Sequence, residues 1–442
     1  MNQRRWILPG LGVIALAGVL VWANAMRTPQ PVFPHDRDLH ADASALRPPY
    51  DPQQIRQNLQ FWAGKTKSDP QDPFSRAQLA HYYLESYRET GDSADVTRAE
   101  QAALASLKIR PSGGALIQLS RVYLNQHRFA EALKTAQLAA TANPDGYRLT
   151  ADIQYELGDY AAAEKDAKRS PPQGDDPAFY ALLSRFSELK GDSKSQLDLL
   201  NRATKQADAS LDASPQSISW FHERRGRALF MTGQLDEAAS EYERALQVFP
   251  PDTRSMAALA RLEAARGNPK LVIEWGEKAA AIVPAPDTLA LLGDAYQALG
   301  QSEKAAAQFK LVEKIGELSS AQGVLYDRQR ALYYADHNLK PVEAVKLARG
   351  ELKVRRDIYA YDTLAWTLFK AGQLDEAAAN MKKALKWNTR DASLWFHAGM
   401  IAAARGQKGE ARRDLELALR ISPQFHATQP QQARATLEKL GS

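Results

Sequence analysis

Two consecutive blocks between Ile358 and Phe425 share one skeleton, and that skeleton limits what the chain can fold into. In the first, Tyr361, Leu364, Ala365 and Leu368 fall on one helical face, followed by Gly372, Ala377, Met381 and Ala384. The second gives Trp395, Ala398, Gly399 and Ala402, then Gly406, Ala411, Leu415, Ala418 and Pro423. Each matched position moves by 34 (365 to 399, 381 to 415). A unit of that length cannot bury its apolar face alone and must stack on its neighbours. The 442 residues therefore need not split into globular domains, as a chain of that length otherwise would.

The spacing is large–x–x–Leu–small in a first helix and small–x–x–x–large–x–x–Ala in a second, often with a closing proline. It resembles the tetratricopeptide repeat. The resemblance implies an all-α fold, a right-handed α-solenoid of helix pairs whose first helices line a concave groove.

Read in order, the array opens with a capping helix carrying Ile55, Leu59 and Trp62. A first segment, 53–207, holds units near 73–112, 113–144, 145–172 and 177–207. The turn between the helices of the first of these is expected to be long, from Glu89 to Val96. Residues 208–218 are polar, contain Pro215 and read as an interrupting loop. The second segment, 219–442, holds units near 219–252, 253–285, 286–319 and 324–357. The two opening blocks follow, and a capping helix near Gln431–Leu440 closes it. Gly-Gln-Leu-Asp-Glu-Ala-Ala occurs at both Gly233–Ala239 and Gly372–Ala378. Small residues such as Gly226, Ala365 and Gly399 let paired helices approach, and Tyr242, Phe309 and Leu415 fill the gap to the adjacent helix. Gly233, Gly300, Gly372 and Gly406 are placed to end first helices in the left-handed conformation.

Ahead of the array, Arg4 and Arg5 precede an apolar run from Trp6 to Ala25. About 20 helical residues span the hydrocarbon core of a bilayer. Residues 1–26 thus read as a single-pass anchor with its N-terminus in the cytoplasm and the repeats outside. Ala23-Asn24-Ala25 keeps a second reading open, a signal peptide cleaved near Ala25 that leaves a secreted or periplasmic protein. Residues 27–52 carry Pro29, Pro31, Pro34, Pro48, Pro49 and Pro52 and read as a linker without regular structure.

Chemistry is not written into the chain. It has no cysteine, so no disulfide framework or thiolate metal site is available. The eight histidines form no His-Glu-x-x-His pair; His222 and His397 sit at repeat-helix positions and read as packed side chains. No phosphate-binding Gly-x-x-x-x-Gly-Lys loop or Gly-x-Ser-x-Gly elbow occurs. The expectation is a protein that is not an enzyme and takes no cofactor. A net charge of +5 does not imply nucleic acid.

Binding is the better expectation. The groove register implied by the resemblance selects Trp220, Glu223, Arg227 and Phe230, then Arg254 and Arg261, then Asp294 and Gln297. It continues through Arg328, Tyr359, Asp362, Trp366, Phe369, Phe396 and Met400, and in the first segment it selects His81, Arg121 and Asn125. Arginines beside aromatics would suit a peptide with acidic and apolar side chains. Helical aromatics more often form core, which is the preferred reading for Trp366 and Trp395, and arginine rows can be a solvated face. The expected function is a scaffold displayed outside the cytoplasmic membrane that binds protein or peptide partners of the cell envelope. The alternative is a component of a polysaccharide assembly or secretion system that contacts glycan through exposed aromatics.

Overall fold

The computed structural model describes Arg47 and residues 49–170, 176–321 and 328–441. The expected anchor or leader at 1–26, and most of the linker, lie outside them. Among the described residues no helix is long and apolar enough to cross a membrane. They form 22 α-helices and no strand. Helix α1 (Gln54–Ser68) is followed by ten helix pairs, beginning with α2 (Pro73–Thr90) and α3 (Ser93–Ile109). Next come α4 (Gly113–Asn125) and α5 (Phe129–Ala140), then α6 (Asp145–Leu157) and α7 (Tyr160–Ala167). The fourth pair is α8 (Pro177–Leu189) and α9 (Ser193–Ala209), and the fifth is α10 (Pro215–Met231) and α11 (Leu235–Val248). Then follow α12 (Thr253–Arg266) with α13 (Pro269–Ile282), and α14 (Pro286–Ala298) with α15 (Ser302–Ala321). The last three pairs are α16 (Arg328–Asp336) with α17 (Pro341–Val354), α18 (Ile358–Lys370) with α19 (Leu374–Ala384), and α20 (Ala392–Ala404) with α21 (Lys408–Ile421). Helix α22 (Gln429–Gly441) covers the end of the array.

The small-to-large rule holds inside the pairs and between them. A Cβ added at Gly226 would lie 2.6 Å from the Tyr242 ring, and one at Gly399 would lie 2.6 Å from Leu415 Cγ. Gly276 faces Leu292 and Gly293 faces Phe309 in the same way. In all four cases the large residue is 16 positions on (226 to 242, 276 to 292, 293 to 309, 399 to 415). Backbones approach there at the distance that only the missing side chain permits.

Three boundaries differ from those the sequence suggests. The turn expected at Glu89–Val96 is only Gly91 and Asp92: Gly91 is left-handed (φ 72°), and Asp92 caps α3 by accepting from Ala94 N–H. The extra residues lengthen α2 and α3, not the turn. The interruption expected at 208–218 shrinks to 210–214, because Ser214 caps α10 and Pro215 occupies its first turn, where its missing N–H costs nothing. The linker also ends early. Tyr50 packs edge-on against Phe249 at 5.5 Å, so the last residues before α1 belong to the fold.

First helices of successive pairs touch one another (α2 with α4, α12 with α14, α18 with α20), whereas second helices make no comparable contacts. First helices therefore form the crowded inner ring of a curved array, and second helices fan out around it. The curvature is tight enough for the coil to meet itself.

Candidate functional site

The inner face begins with the way the coil closes. Residues from Tyr50 to Gly233 meet residues from Phe249 to Pro423 along one seam. Arg356 N–H donates to the Leu157 carbonyl at 2.9 Å. Ile358 N–H donates to Tyr160 Oη at 3.0 Å across 198 residues, and Thr389 Oγ1 donates to the Leu189 carbonyl at 2.7 Å across 200. The first-segment turn glycines sit in this seam. A Cβ on Gly91 would overlap the Ile282 carbonyl, one on Gly158 the main chain of Arg356, and one on Gly191 would lie 2.5 Å from the Asn388 carbonyl oxygen. Gly267, Gly300, Gly372 and Gly406 have the same positive φ but open space around them.

An ionic network crosses the middle of the seam. Arg355 donates through Nη2 to Glu156 Oε2 at 2.8 Å and through Nε to the Glu156 carbonyl at 3.2 Å. Arg185 holds the other Glu156 oxygen and also Asp152, at 2.6 Å. Arg328 donates to Glu351 at 2.8 Å and to Asp357 at 2.7 Å, and Arg355 meets Asp357 at 3.3 Å. Burial alone would raise the Glu156 carboxyl, but the guanidiniums of Arg185, Arg355 and Arg224 outweigh it and hold it at about 2.

This network places one of the sequence-selected arginines. Arg328 is not presented to a ligand; it is a structural cation between two buried carboxylates. Trp366 and Phe396 are likewise withdrawn, at 2% and 0% exposure, in the core under α22. Trp366 stacks on His397 at 4.1 Å and donates its indole N–H to Asp336 at 2.8 Å. Asp362 is buried too, and its carboxylate pairs with His397 Nδ1 at 2.8 Å. Neighbouring first helices close over Trp366 and Asp362, from α16 and α20, while Phe396 lies in the cluster that the capping helix covers. Phe369 is half-buried against the same cluster, stacked on Trp366. Phe230 is half-buried against the cluster formed by Leu229, Tyr242 and Leu259. Trp395, read as core, is half-buried and donates to the Thr389 carbonyl at 3.0 Å.

Other selected residues do reach the interior and meet there. Arg227 Nη2 and Tyr359 Oη both donate to Glu188 Oε1 at 3.2 Å, which brings α8, α10 and α18 to one carboxylate. Glu188 holds the Arg227 guanidinium above its ordinary pKa despite burial. Trp220 lies under Arg224, whose guanidinium sits 5.1 Å from the ring centroid, and Glu223 is 3.9 Å from Arg224 Nε. Arg254 and Arg261 are exposed, each beside a carboxylate of its own chain: Asp252 at 3.0 Å and Asp287 at 3.2 Å. Among the described residues no cluster of three metal-binding side chains occurs.

The residue that the register misses is Arg88. It lies seven positions after His81 on α2, so it shares that helical face. The unusual length of α2 is what carries the face that far. Burial, with repulsion from Arg254 and Arg121, pulls the Arg88 guanidinium down to about 10. Burial also lowers Arg121, although that side chain is exposed to solvent. First helices thus carry arginines on α2, α4 and α10.

The tetratricopeptide-repeat pattern matches residues 117–178 and 363–424, with further matches at 220–252 and 286–315. No curated protein sequence matches the chain significantly. Among solved structures, the human IFIT1 dimer with PPP-AAAA is 16% identical, covers 72% of this chain and 73% of its own, and gives a TM-score of 0.46. PilW, a type IV pilus biogenesis factor, is 17% identical over 44% of this chain and 90% of its own, with a TM-score of 0.37. A tetratricopeptide repeat protein from Parabacteroides merdae is 18% identical over 60% of this chain and 99% of its own, with a TM-score of 0.34. With the repeat pattern matched in both halves of the array, and helix pairs stacked throughout it, the chain belongs to the tetratricopeptide-repeat family.

Proposed function

We propose that the chain is a non-catalytic scaffold, tethered or exported to the outer side of a cytoplasmic membrane, that holds segments of partner proteins inside its coil. The observation that carries this reading is the lumen itself. Its wall is built from first helices and bears an arginine, a carboxylate and a hydroxyl that meet across three of them, where a sealed core would bear apolar side chains. Repeat arrays present such a surface by construction. The apolar run at Trp6–Ala25 supports the location. A glycan partner is less well supported, because the aromatics it would stack on are engaged: Trp366 and Phe396 are buried and Trp220 is covered by Arg224.

Capture from detergent-solubilised membranes tests the scaffold. The full chain should retain a specific set of proteins that is lost when Arg88 and Arg121 are both changed to Glu. An identical set on both baits would overturn the lumen as the binding surface. For the location, N-terminal sequencing of the mature protein separates anchor from leader, and protease digestion of intact spheroplasts should remove the repeats in either case. Repeats that survive digestion until the membrane is lysed would overturn the outward placement.

A further inference from the structure

The two ends of the array are closed by helices of different character. A terminal helix meets water on its outer side and is expected to be polar there. Helix α22 follows that rule: none of its large apolar side chains is exposed. Helix α1 breaks it. Phe61 on α1 and Phe74 at the start of α2 are 54% and 58% exposed, and they are the only exposed aromatic side chains among the described residues. They also adjoin one another. Trp62 lies between them, edge-on to Phe61 at 5.0 Å and to Phe74 at 5.6 Å, so the three rings form one patch. Single exposed apolar side chains are ordinary, whereas adjoining ones mark a contact surface.

The charge around the patch has one sign. Helix α1 carries Arg56, Lys65 and Lys67 and no acid, and Lys65 Nζ sits 5.6 Å from the centroid of the Phe61 ring. The flanking acids are turned to main-chain amides. Asp51 accepts from Gln53 N–H, Asp69 from Gln71 N–H, and Asp72 from Phe74 and Ser75 N–H, where it caps α2. Aromatic rings on a cationic helix suit the interfacial layer of a bilayer: the rings sit at headgroup depth, and the lysine stems reach anionic headgroups. The place in the chain agrees. The apolar run ends at Ala25, and the fold holds Tyr50 against Phe249. Residues 26–49 between them reach about 75 Å even as a straight polyproline chain, and about 27 Å as a flexible coil. A tether of that length keeps the local concentration of lipid surface high, so a weak contact suffices.

We propose that Phe61, Trp62 and Phe74, with Lys65 and Lys67, form a membrane-contact surface that seats the N-terminal end of the array on an anionic bilayer. The proposal rests on the tethered, outward reading and adds a second, peripheral contact to the anchor.

The chain has no cysteine, so one introduced thiol carries a nitroxide to a chosen place. Gly64 lies one helical turn beyond Phe61, and Gly409 lies on α21; a Cβ at either meets no atom within 4 Å. The full chain bearing Gly64→Cys or Gly409→Cys is reconstituted in liposomes of phosphatidylglycerol and phosphatidylcholine. Collisions with oxygen, which concentrates in lipid, are compared with collisions with a water-soluble nickel chelate. The oxygen-to-nickel ratio at position 64 should exceed that at position 409 several-fold, and part of the excess should disappear in pure phosphatidylcholine. Changing Phe61 and Phe74 together to Ser should bring the ratio at 64 down to the value at 409; a high ratio that survives would overturn the role of the rings. Equal ratios at 64 and 409 with the rings intact would overturn the surface, and that comparison holds whatever the double variant does to folding. Spin–spin broadening at 64 that unlabelled chain relieves would assign the rings to a second copy and also overturn the proposal. A mature protein beginning at Met26 would overturn the tether, whereas the ratio at 64 reads the surface in the full chain, so the two readings fail separately.

Discussion

At the scale of single residues, the turn glycines show how one local signal serves two purposes. Gly158 (φ 84°) and Gly372 (φ 76°) end first helices in the same left-handed conformation. An alanine at either should cost about 1–2 kcal/mol for that conformation alone. At Gly158 the new Cβ also overlaps the Arg356 main chain, whereas at Gly372 it meets nothing. Overpacking should add about 1–3 kcal/mol at Gly158 only. Urea unfolding of Gly158→Ala and Gly372→Ala checks this; equal losses would mean that the seam has no energetic weight at that turn. The sequence does not distinguish the two glycines. What differs is a carbonyl and an amide from the other end of the chain, and main-chain atoms leave no mark in composition. Gly399 is the opposite case. Its partner Leu415 is 16 residues away in the next helix, so the pairing repeats with the period and can be read directly.

At the scale of elements, the junction between α17 and α18 is the piece that joins the two turns of the coil. Arg355 there reaches Glu156 at the end of α6, and Asp357, which caps α18, also receives Arg328. Arg355→Met leaves three carboxylates short of a cation in a mostly buried site. The expected loss is about 3 kcal/mol or more, measured by chemical denaturation. Acid should act on the same joint. The Glu156 carboxyl sits at about 2 in the fold and near the ordinary glutamate value when unfolded, so its contribution is complete above about pH 4.5 and disappears as pH falls from there towards 2. Stability measured from pH 5 to 2.5 should fall less steeply in Arg355→Met than in the wild type. Parallel curves would sink the assignment of that slope to Glu156. Helix positions were legible here from the small-residue spacing, and Ala344 and Ala348 are buried as expected. The roles of the charges were not. The register that places Arg328 on an inward face cannot tell a cation awaiting a partner from one that Glu351 and Asp357 already hold.

At the scale of the molecule, the array is not the chain of nearest neighbours that a repeat pattern suggests. Ordinary solenoids gain stability by local sums, and their ends fray independently. Here residues nearly 200 positions apart share hydrogen bonds at 199, 198 and 200 separations, so the first turn is stabilised by the second. Hydrogen exchange should show this. Segments around Gly91, Gly158 and Gly191 should exchange more slowly than those around Gly267, Gly300, Gly372 and Gly406, which face open space. Uniform protection would count against a continuous seam. The fold class was legible because helix pairing is local. The closed path of the coil was not, because it follows from small rotations summed over several units, each too slight to show in any one of them.

The seam also sets an order of events during synthesis. The turn at Gly233 is matched by Ser422 and Pro423, so it leaves the ribosome long before its cover exists. At about 5–20 residues per second the gap is roughly 10–40 s. Each earlier turn waits in the same way for its own cover, Gly91 for Ile282, Gly158 for Arg356 and Gly191 for Asn388, and until then offers bare backbone to solvent and to other nascent chains. A copy stalled or truncated before its last repeats would keep that edge uncovered, and the nearest surface of the right shape would be the second turn of a neighbouring molecule.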